Sequence, residues 1–395
     1  MGEYIRLSES GKDTEERLLQ YAVRLFSAKW YGTVSVAEIC RAAGLSNGVF
    51  YRYFRSKEEL CKRILGATEA RIAEAIAGIG EGSPAEKLPR FTTIVMNFSL
   101  DHPDLIAVFR EGQYRFIEYE RSLETLYRTG LSSVFGEEVG AEDTVFALGG
   151  IRFCAIRRGL LHMPIVPESV IGILERGIFP DLEADLGRVF APVESAYAAS
   201  CAENARDCLL QAGKRLFGDR GFIETNIHEI TDAADLAVGT FYTYFASKEE
   251  FFAKLVRQVS HDLRRFISAN IPEGLNRLER EMRGLWLFLR YLQEDPYCYG
   301  IVRQAEFVLP EVAADYYAAF LRGYERRPLA ADGLAPGLDE ATSAQFLLGV
   351  GHYLGIEAVL AGSSEGIEAQ VATIGRRMRE GFSARLALVS RSLRN

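Results

Sequence analysis

Residues 46–60 read SNGVFYRYFRSKEEL, and residues 237–251 read AVGTFYTYFASKEEF. The two segments match at an offset of 191. Carried backward without a gap, the match runs from 14–60 to 205–251 with 20 of 47 positions identical. Agreement of that length at one offset is an internal repeat. Further along, HPDLIAVFREGQY at 102–114 aligns with DPYCYGIVRQAEF at 295–307 (offset 193), and FALGGIRFCAIRRGL at 146–160 with FLLGVGHYLGIEAVL at 346–360 (offset 200). The duplication therefore spans nearly the whole chain, with small insertions in the loops of the second half.

Each half reads as helix. Apolar residues recur at three and four positions, as in Leu18, Ala22, Leu25 and Phe26, and the alternation that marks strands is nearly absent. Capping boxes pair a short polar side chain with a Glu three residues on, each satisfying the other's free amide: Ser35 with Glu38, Ser56 with Glu59, Asn226 with Glu229, Ser247 with Glu250. Breaks fall at EGSP (81–84), His102-Pro103, Asp295-Pro296, HMP (162–164) and RRPLAADGLAPG (326–337), where Pro and Gly cannot continue a helix. The join of the halves is expected at 180–203, around Pro180 and Pro192.

The composition bounds the function classes. The 395 residues carry 46 Lys plus Arg against 54 Asp plus Glu, a net charge of −8, with 48% hydrophobic and 25% charged residues. Such a chain can bury two or more cores, which excludes disorder, collagen and fibrous coils. It has no overall basic field, so any contact with nucleic acid must be built locally. The six cysteines (Cys40, Cys61, Cys154, Cys201, Cys208, Cys298) form no CxxC pair and read as reduced thiols. The start, MGEYIRLSES, has acids where a signal peptide needs a basic flank, and Arg6 stands at the Ser/Thr position of a myristoylation signal. No apolar run approaches a membrane span, so the chain is expected in the cytoplasm with no membrane contact.

Between 35 and 55 a short capped helix, a turn at Ala43-Gly44-Leu45 and a second short helix opening at Ser46 have helix-turn-helix spacing, in which the second helix can enter the major groove of DNA. Phe50 and Phe54, four apart, should face the core. That leaves Asn47, Val49, Arg52 and Tyr53 toward solvent as base and phosphate readers.

The stretch LFSAKWYGTVSVAEICRAAGLSNGVFYRYFRSKEEL (25–60) resembles the DNA-binding signature of the TetR family of bacterial transcriptional regulators, and LFGDRGFIETNIHEITDAADLAVGTFYTYFASKEEF (216–251) is a second copy. One family unit is roughly half this chain, so the whole resembles a fused tandem regulator. The resemblance implies phosphate contacts at Ser35, Tyr51, Tyr53 and Lys57 and at Asn226, Tyr242, Tyr244 and Lys248, with Ser46 opening the first reading helix. It implies base readers at Asn47, Val49 and Arg52 and at Val238, Thr240 and Thr243. Hydroxyls, lysine and helix N-terminal amides suit phosphates, Arg suits guanine edges, and a Thr or Val methyl can meet thymine, so the two copies should read different sequences.

Two positions depart from the family pattern: Trp30 and Asp235 stand where it has glycine, and Asp tolerates a left-handed turn better than most residues. Charge also differs. Residues 35–60 sum to +1 and 226–251 to −4, which predicts that the first copy anchors DNA binding and the second is the weaker reader.

The expected architecture is all-α, two TetR-like units in one chain. It comprises a first helix-turn-helix DNA-binding domain (1–60), a first helical effector and dimerisation domain (61–190), a second helix-turn-helix domain (191–251) and a second effector domain (252–395). Family pairing uses the last two long helices of each unit, here 143–161 with 168–179 and 339–361 with 364–384. The chain is expected to form an intramolecular pseudo-dimer on two unlike half-sites of double-stranded DNA, with a homodimer of four heads as the alternative. The family further implies a repressor released by a small, largely apolar effector, with the helices 57–79 and 248–269 as levers.

Candidates for a ligand cavity are Phe109, Tyr114, Phe116, Phe153, Trp286, Tyr291, Phe307, Tyr317 and Tyr353, with Phe288 and Tyr316 beside them; each is also an ordinary core aromatic. Arg152, Arg157 and Arg158 lie in an otherwise apolar helix, suited to an ion pair, an anionic ligand head or a snorkelling surface position. Gly44 to Gly48 formally match a G-x-S-x-G nucleophile elbow but lack the preceding strand. Gly349, Gly351 and Gly355 miss dinucleotide spacing and read as close helix packing. The five histidines (His102, His162, His228, His261, His352) have no metal-ligand spacing. No cofactor, metal or enzyme activity is expected. The rival reading is a helical ligand-binding or interaction module with a degenerate second reader.

Overall fold

The computed structural model describes residues 12–193, 204–361 and 366–392. Cys201, the chain start with Arg6, residues 194–203 of the join and 362–365 lie outside the described residues. Every regular element among the described residues is helical. The chain divides into two compact units, one of 1–144, 151–171 and 384–395, the other of 145–150 and 172–383. This division differs from the repeat boundary, because short segments of the first repeat belong to the second unit.

The first unit begins with α1 (Lys12–Ala28), α2 (Val36–Ala42) and α3 (Asn47–Tyr53), a three-helix head. A long helix, α4 (Lys57–Ala77), leaves the head and packs with α5 (Pro84–Asp101), α6 (Pro103–Arg115) and α7 (Ile117–Phe135). The short α8 (Ala141–Thr144) and α9 (Gly150–Leu161) follow, separated by a π-helical turn at Val145–Gly149, and then α10 (Pro167–Arg176). The breaks at His102-Pro103 and HMP fall between helices, as proline geometry requires.

In the second unit α11 (Leu186–Val189) precedes a head of α12 (Ala205–Arg220), α13 (Ile227–Ala233) and α14 (Val238–Tyr244). The long α15 (Lys248–Ala269) leads to α16 (Arg277–Glu294), α17 (Tyr297–Val308), α18 (Pro310–Arg326), α19 (Glu340–Ala361) and α20 (Ile367–Glu380), and α21 (Ser383–Ser392) returns to the first unit. Each head docks on its own body the same way, α1 against α6 and α12 against α17.

The caps correct one sequence expectation. Of the four capping boxes, only Asn226 with Glu229 is reciprocal. Ser35 does accept the Glu38 amide, but the Glu38 carboxylate turns to Lys29 at 2.5 Å, and that ion pair holds its pKa below the usual range. Glu59 and Glu250 reach one residue further back, to the amides of Arg55 (2.7 Å) and Ala246 (2.9 Å). In all four helices the cap side chain still accepts the amide three residues on, one of the free donors that a helix start leaves.

In the second unit the π-helical turn of 145–149 packs on α19. Phe146 and Phe346, both fully buried, approach edge to face with ring centroids 5.2 Å apart. A Cβ on Gly149 would stand 3.2 Å from the Gly349 carbonyl oxygen, and one on Gly150 would run into the Phe346 ring. Glycine is needed here for close approach. Gly355 serves the same end against Phe288 and Tyr299, the close packing expected of that glycine series, whereas a Cβ on Gly351 would make only ordinary contact with Leu285 at 3.4 Å.

Candidate nucleic-acid interface and ligand cavity

In the first head Phe50 and Phe54 are buried and pack on each other at 5.6 Å, so the opposite face of α3 is outward. Ser46, Asn47, Tyr51 and Arg52 are exposed, and Val49 and Tyr53 are half-buried. In the second head Phe241 and Phe245 repeat the packing at 5.4 Å. Tyr242, Thr243 and Tyr244 are exposed, and Val238 and Thr240 half-buried. Thr243 donates to the Gly239 carbonyl at 3.2 Å, leaving its methyl and one oxygen lone pair for an outside partner. The turn glycine Gly44 has φ 66°, and Asp235 holds the same conformation at φ 54°. Gly221 keeps a left-handed φ of 90°, whereas Trp30, its counterpart, has φ −59° and starts a short 3-10 turn at Tyr31–Thr33.

Ser35 and Asn226 cap α2 and α13 and remain exposed. The two lysines have a structural task that sequence reasoning missed. Lys57 Nζ donates to the carbonyls of Tyr31 and Val34, both at 2.8 Å, and sits 4.1 Å from the centre of the Tyr31 ring. Lys248 Nζ does the same with Phe222 (2.9 Å) and Thr225 (3.0 Å), over the Phe222 ring. Burial pushes both ammonium groups below the usual lysine pKa. Two of three N–H bonds are thus used to tie the long helix to its head. Arg41, Arg52 and Arg55 remain outward in the first head, while residues 226–251 hold no cation besides Lys248.

Arg17 is a further unforeseen contributor: its guanidinium donates to the Ala43 carbonyl beneath the turn. Behind each head lies a second matched joint. Glu111 on α6 accepts the Tyr31 amide at 2.9 Å, and Gln304, its counterpart on α17, accepts the Phe222 amide at 2.5 Å.

The second body holds a cavity of about 260 Å³, partly open to solvent, lined by residues of α15 to α20 and the adjoining loops. Of the aromatic candidates, Phe288, Tyr316 and Tyr317 line it. Trp286, Tyr291 and Tyr353 are buried in the second unit and Phe109, Phe116 and Phe153 in the first, without lining this cavity; Phe307 is half-buried and Tyr114 partly exposed.

One wall carries a closed polar ring. Arg303 Nη1 lies 3.1 Å from His352 Nε2, and because an arginine can only donate, the network assigns the imidazole proton to Nδ1. Nδ1 faces the Tyr317 hydroxyl at 3.0 Å, which donates to Glu306 at 2.5 Å, and Arg303 donates to the other Glu306 oxygen at 3.0 Å. In the first repeat the equivalent positions are Arg152 and Gln113. Arg152 is buried and donates to Gln113 at 3.1 Å and to both oxygens of Glu120 at 2.8 and 3.1 Å. It is therefore an internal ion pair. Arg157 is likewise buried, against the Phe153 ring, and Arg158 donates to Asn97.

The sequence profile described as bacterial regulatory proteins of the tetR family matches residues 18–64 and again 209–255, the two heads. Over 148 residues the chain is 31% identical to the HTH-type transcriptional regulator EthR of Mycolicibacterium smegmatis, covering 35% of this chain and 68% of EthR. The chain belongs to the TetR family. Two TetR head domains in one chain make this a tandem member. It is also similar to the HTH-type regulator YerO of Bacillus subtilis, 26% identical over 38% of this chain, and spans 54% of YerO's length. A TetR-like regulator from Rhodococcus aligns with 44% of this chain and 93% of its own at 22% identity and a TM-score of 0.39. None of the described helices is long and apolar enough to cross a membrane.

Proposed function

We propose that this tandem TetR protein is a DNA-binding transcriptional repressor that reads two unlike half-sites as an intramolecular pseudo-dimer and is released by a small effector held in the second body. The observation that carries the reading is the contact of Phe146 with Phe346. These residues are equivalent in the two repeats, and in a two-fold interface a residue on the axis meets its own equivalent. That contact is the one expected if one chain supplies both sides of a pairing that separate chains make in ordinary dimers.

The heads supply the reading chemistry. Arg52 presents guanidinium donors suited to a guanine edge, while Thr243 presents a methyl suited to thymine. The first head's outward arginines favour phosphate, and the second head's acids oppose it, which ranks the first as the anchor.

The coupling path runs along one helix. Lys248 at the start of α15 bonds the head, and Ile267 near its end lines the cavity, about 30 Å away at helical rise. An effector that binds one tilt of this helix better than another shifts DNA affinity by the ratio of its affinities for the two states.

Selection of bound fragments from the source genome, then a footprint with wild type, Arg52→Ala and Thr243→Ala, tests the reading. Two protected unlike half-sites, each disturbed by its own substitution, support it. Protection lost only with Arg52→Ala makes the second reader vestigial, and no protected duplex favours the helical binding module instead.

A further inference from the structure

The polar mouth of the second-body cavity carries more positive charge than its neighbours neutralise. Arg277, at the start of α16, pairs with Glu281 at 2.8 Å and lies 3.6 Å from Asp332. Arg327 takes Asp332 at 2.8 Å, and the Tyr324 hydroxyl donates to Glu281 at 3.0 Å. Both acids are therefore shared among Arg277, Arg327 and Tyr324. Arg280 lines the same cavity, and among the described residues its guanidinium makes no ion pair or hydrogen bond. Three arginines face two carboxylates, and the surplus charge is on Arg280. Partial burial and the neighbouring Arg327 and Arg277 lower its pKa, an electrostatic strain that an incoming anion would relieve. Apart from the polar wall at His352 and Tyr317, the remaining lining is largely apolar, including Ile267, Ile271, Leu285 and Phe320.

We propose that the cavity takes a small amphipathic monoanion, its carboxylate or similar oxyanion paired with Arg280 and its apolar body lying against Ile267, Ile271, Leu285 and Phe320. This rests on the cavity being the effector site. Arg suits the role because its planar fork can hold two oxygens at once. In a half-buried, low-dielectric mouth such a pair is worth more than on an open surface.

Calorimetric titration of the full chain with two matched pairs, decanoate against decan-1-ol and 1-naphthoate against 1-naphthalenemethanol, tests it. The acid of at least one pair should bind more tightly than its alcohol. Arg280→Gln should cost that acid about tenfold or more in affinity and leave the alcohol unchanged, while Arg280→Lys keeps most of the preference. Gly284→Leu, which adds bulk at a lining position with open space around it, should abolish binding of both. Alcohols binding as well as acids, or a preference that survives Arg280→Gln, overturns the anion proposal and leaves the cavity as an effector site. Binding of neither class, or binding unaffected by Gly284→Leu, overturns both.

Discussion

The Glu111 carboxylate accepts the backbone amide of Tyr31, tying the first head to the body behind it. Its other oxygen is buried without a hydrogen-bond partner, and burial raises the Glu111 pKa to about 7, offset in part by the Tyr31 amide, Arg115 and Lys57. The second repeat makes the same joint with Gln304, a neutral side chain.

This predicts a pH response confined to the first head. A carboxyl raised from about 4.5 unfolded to about 7 folded binds more protons in the folded state between those values, so its contribution falls as pH rises through that window and is flat above it. Glu111→Gln should remove that slope and stabilise the protein at pH 8 by up to about 3 kcal/mol, while preserving the acceptor for Tyr31. Urea unfolding of both proteins at pH 5, 6, 7 and 8 checks it; parallel pH profiles would sink the assignment.

Phe146 and Phe346 should behave as one unit. Each is fully buried, so either alanine replacement should cost roughly 3–5 kcal/mol. Because the rings touch, the double variant should cost less than the sum, by about 0.5–1.5 kcal/mol. A double-mutant cycle in guanidinium measures this, and strict additivity would contradict the contact.

Lys57→Ala and Lys248→Ala should both lower thermal stability, since each removes a donor to two carbonyls. The salt dependence of DNA binding should instead respond to the outward Arg41 and Arg55, each alanine replacement at a phosphate-contacting position reducing the slope of log affinity against log salt by about 0.9. Fluorescence anisotropy from 50 to 300 mM salt separates the two effects.

Asp235 occupies a left-handed turn position that β-branched residues resist. Asp235→Val should therefore destabilise the second head by about 1–2 kcal/mol, and Asp235→Gly should be tolerated. Thermal melts read by circular dichroism suffice, and equal melting of the two variants would exclude turn strain as the cause.

Much of the architecture was legible in the residues. Two copies of FYxYFxSKEE, each following a capped short helix, identified the heads, and Phe50 with Phe54 and Phe241 with Phe245 oriented them, because a four-residue spacing puts side chains on one helix face. The caps were legible only by half: a Glu three residues past the cap was visible, but whether it turned back or met Lys29 depended on a residue nine positions away. The cavity was least legible. An aromatic looks the same in sequence whether it fills a core, as Trp286 does, or lines a void, as Tyr317 does.

The sequence by itself determined the duplication, the helical class, the outward faces of α3 and α14 and the charge difference between the two heads, because each of these depends on local spacing and composition. Tertiary structure decided that Lys57 and Lys248 brace their heads, that Glu111 and Gln304 meet equivalent amides, that Arg152 is an internal ion pair, and that Phe146 meets Phe346. Those outcomes depend on which distant side chains share a buried space, where a charge must find a partner and a ring must find a surface, and no local pattern records that.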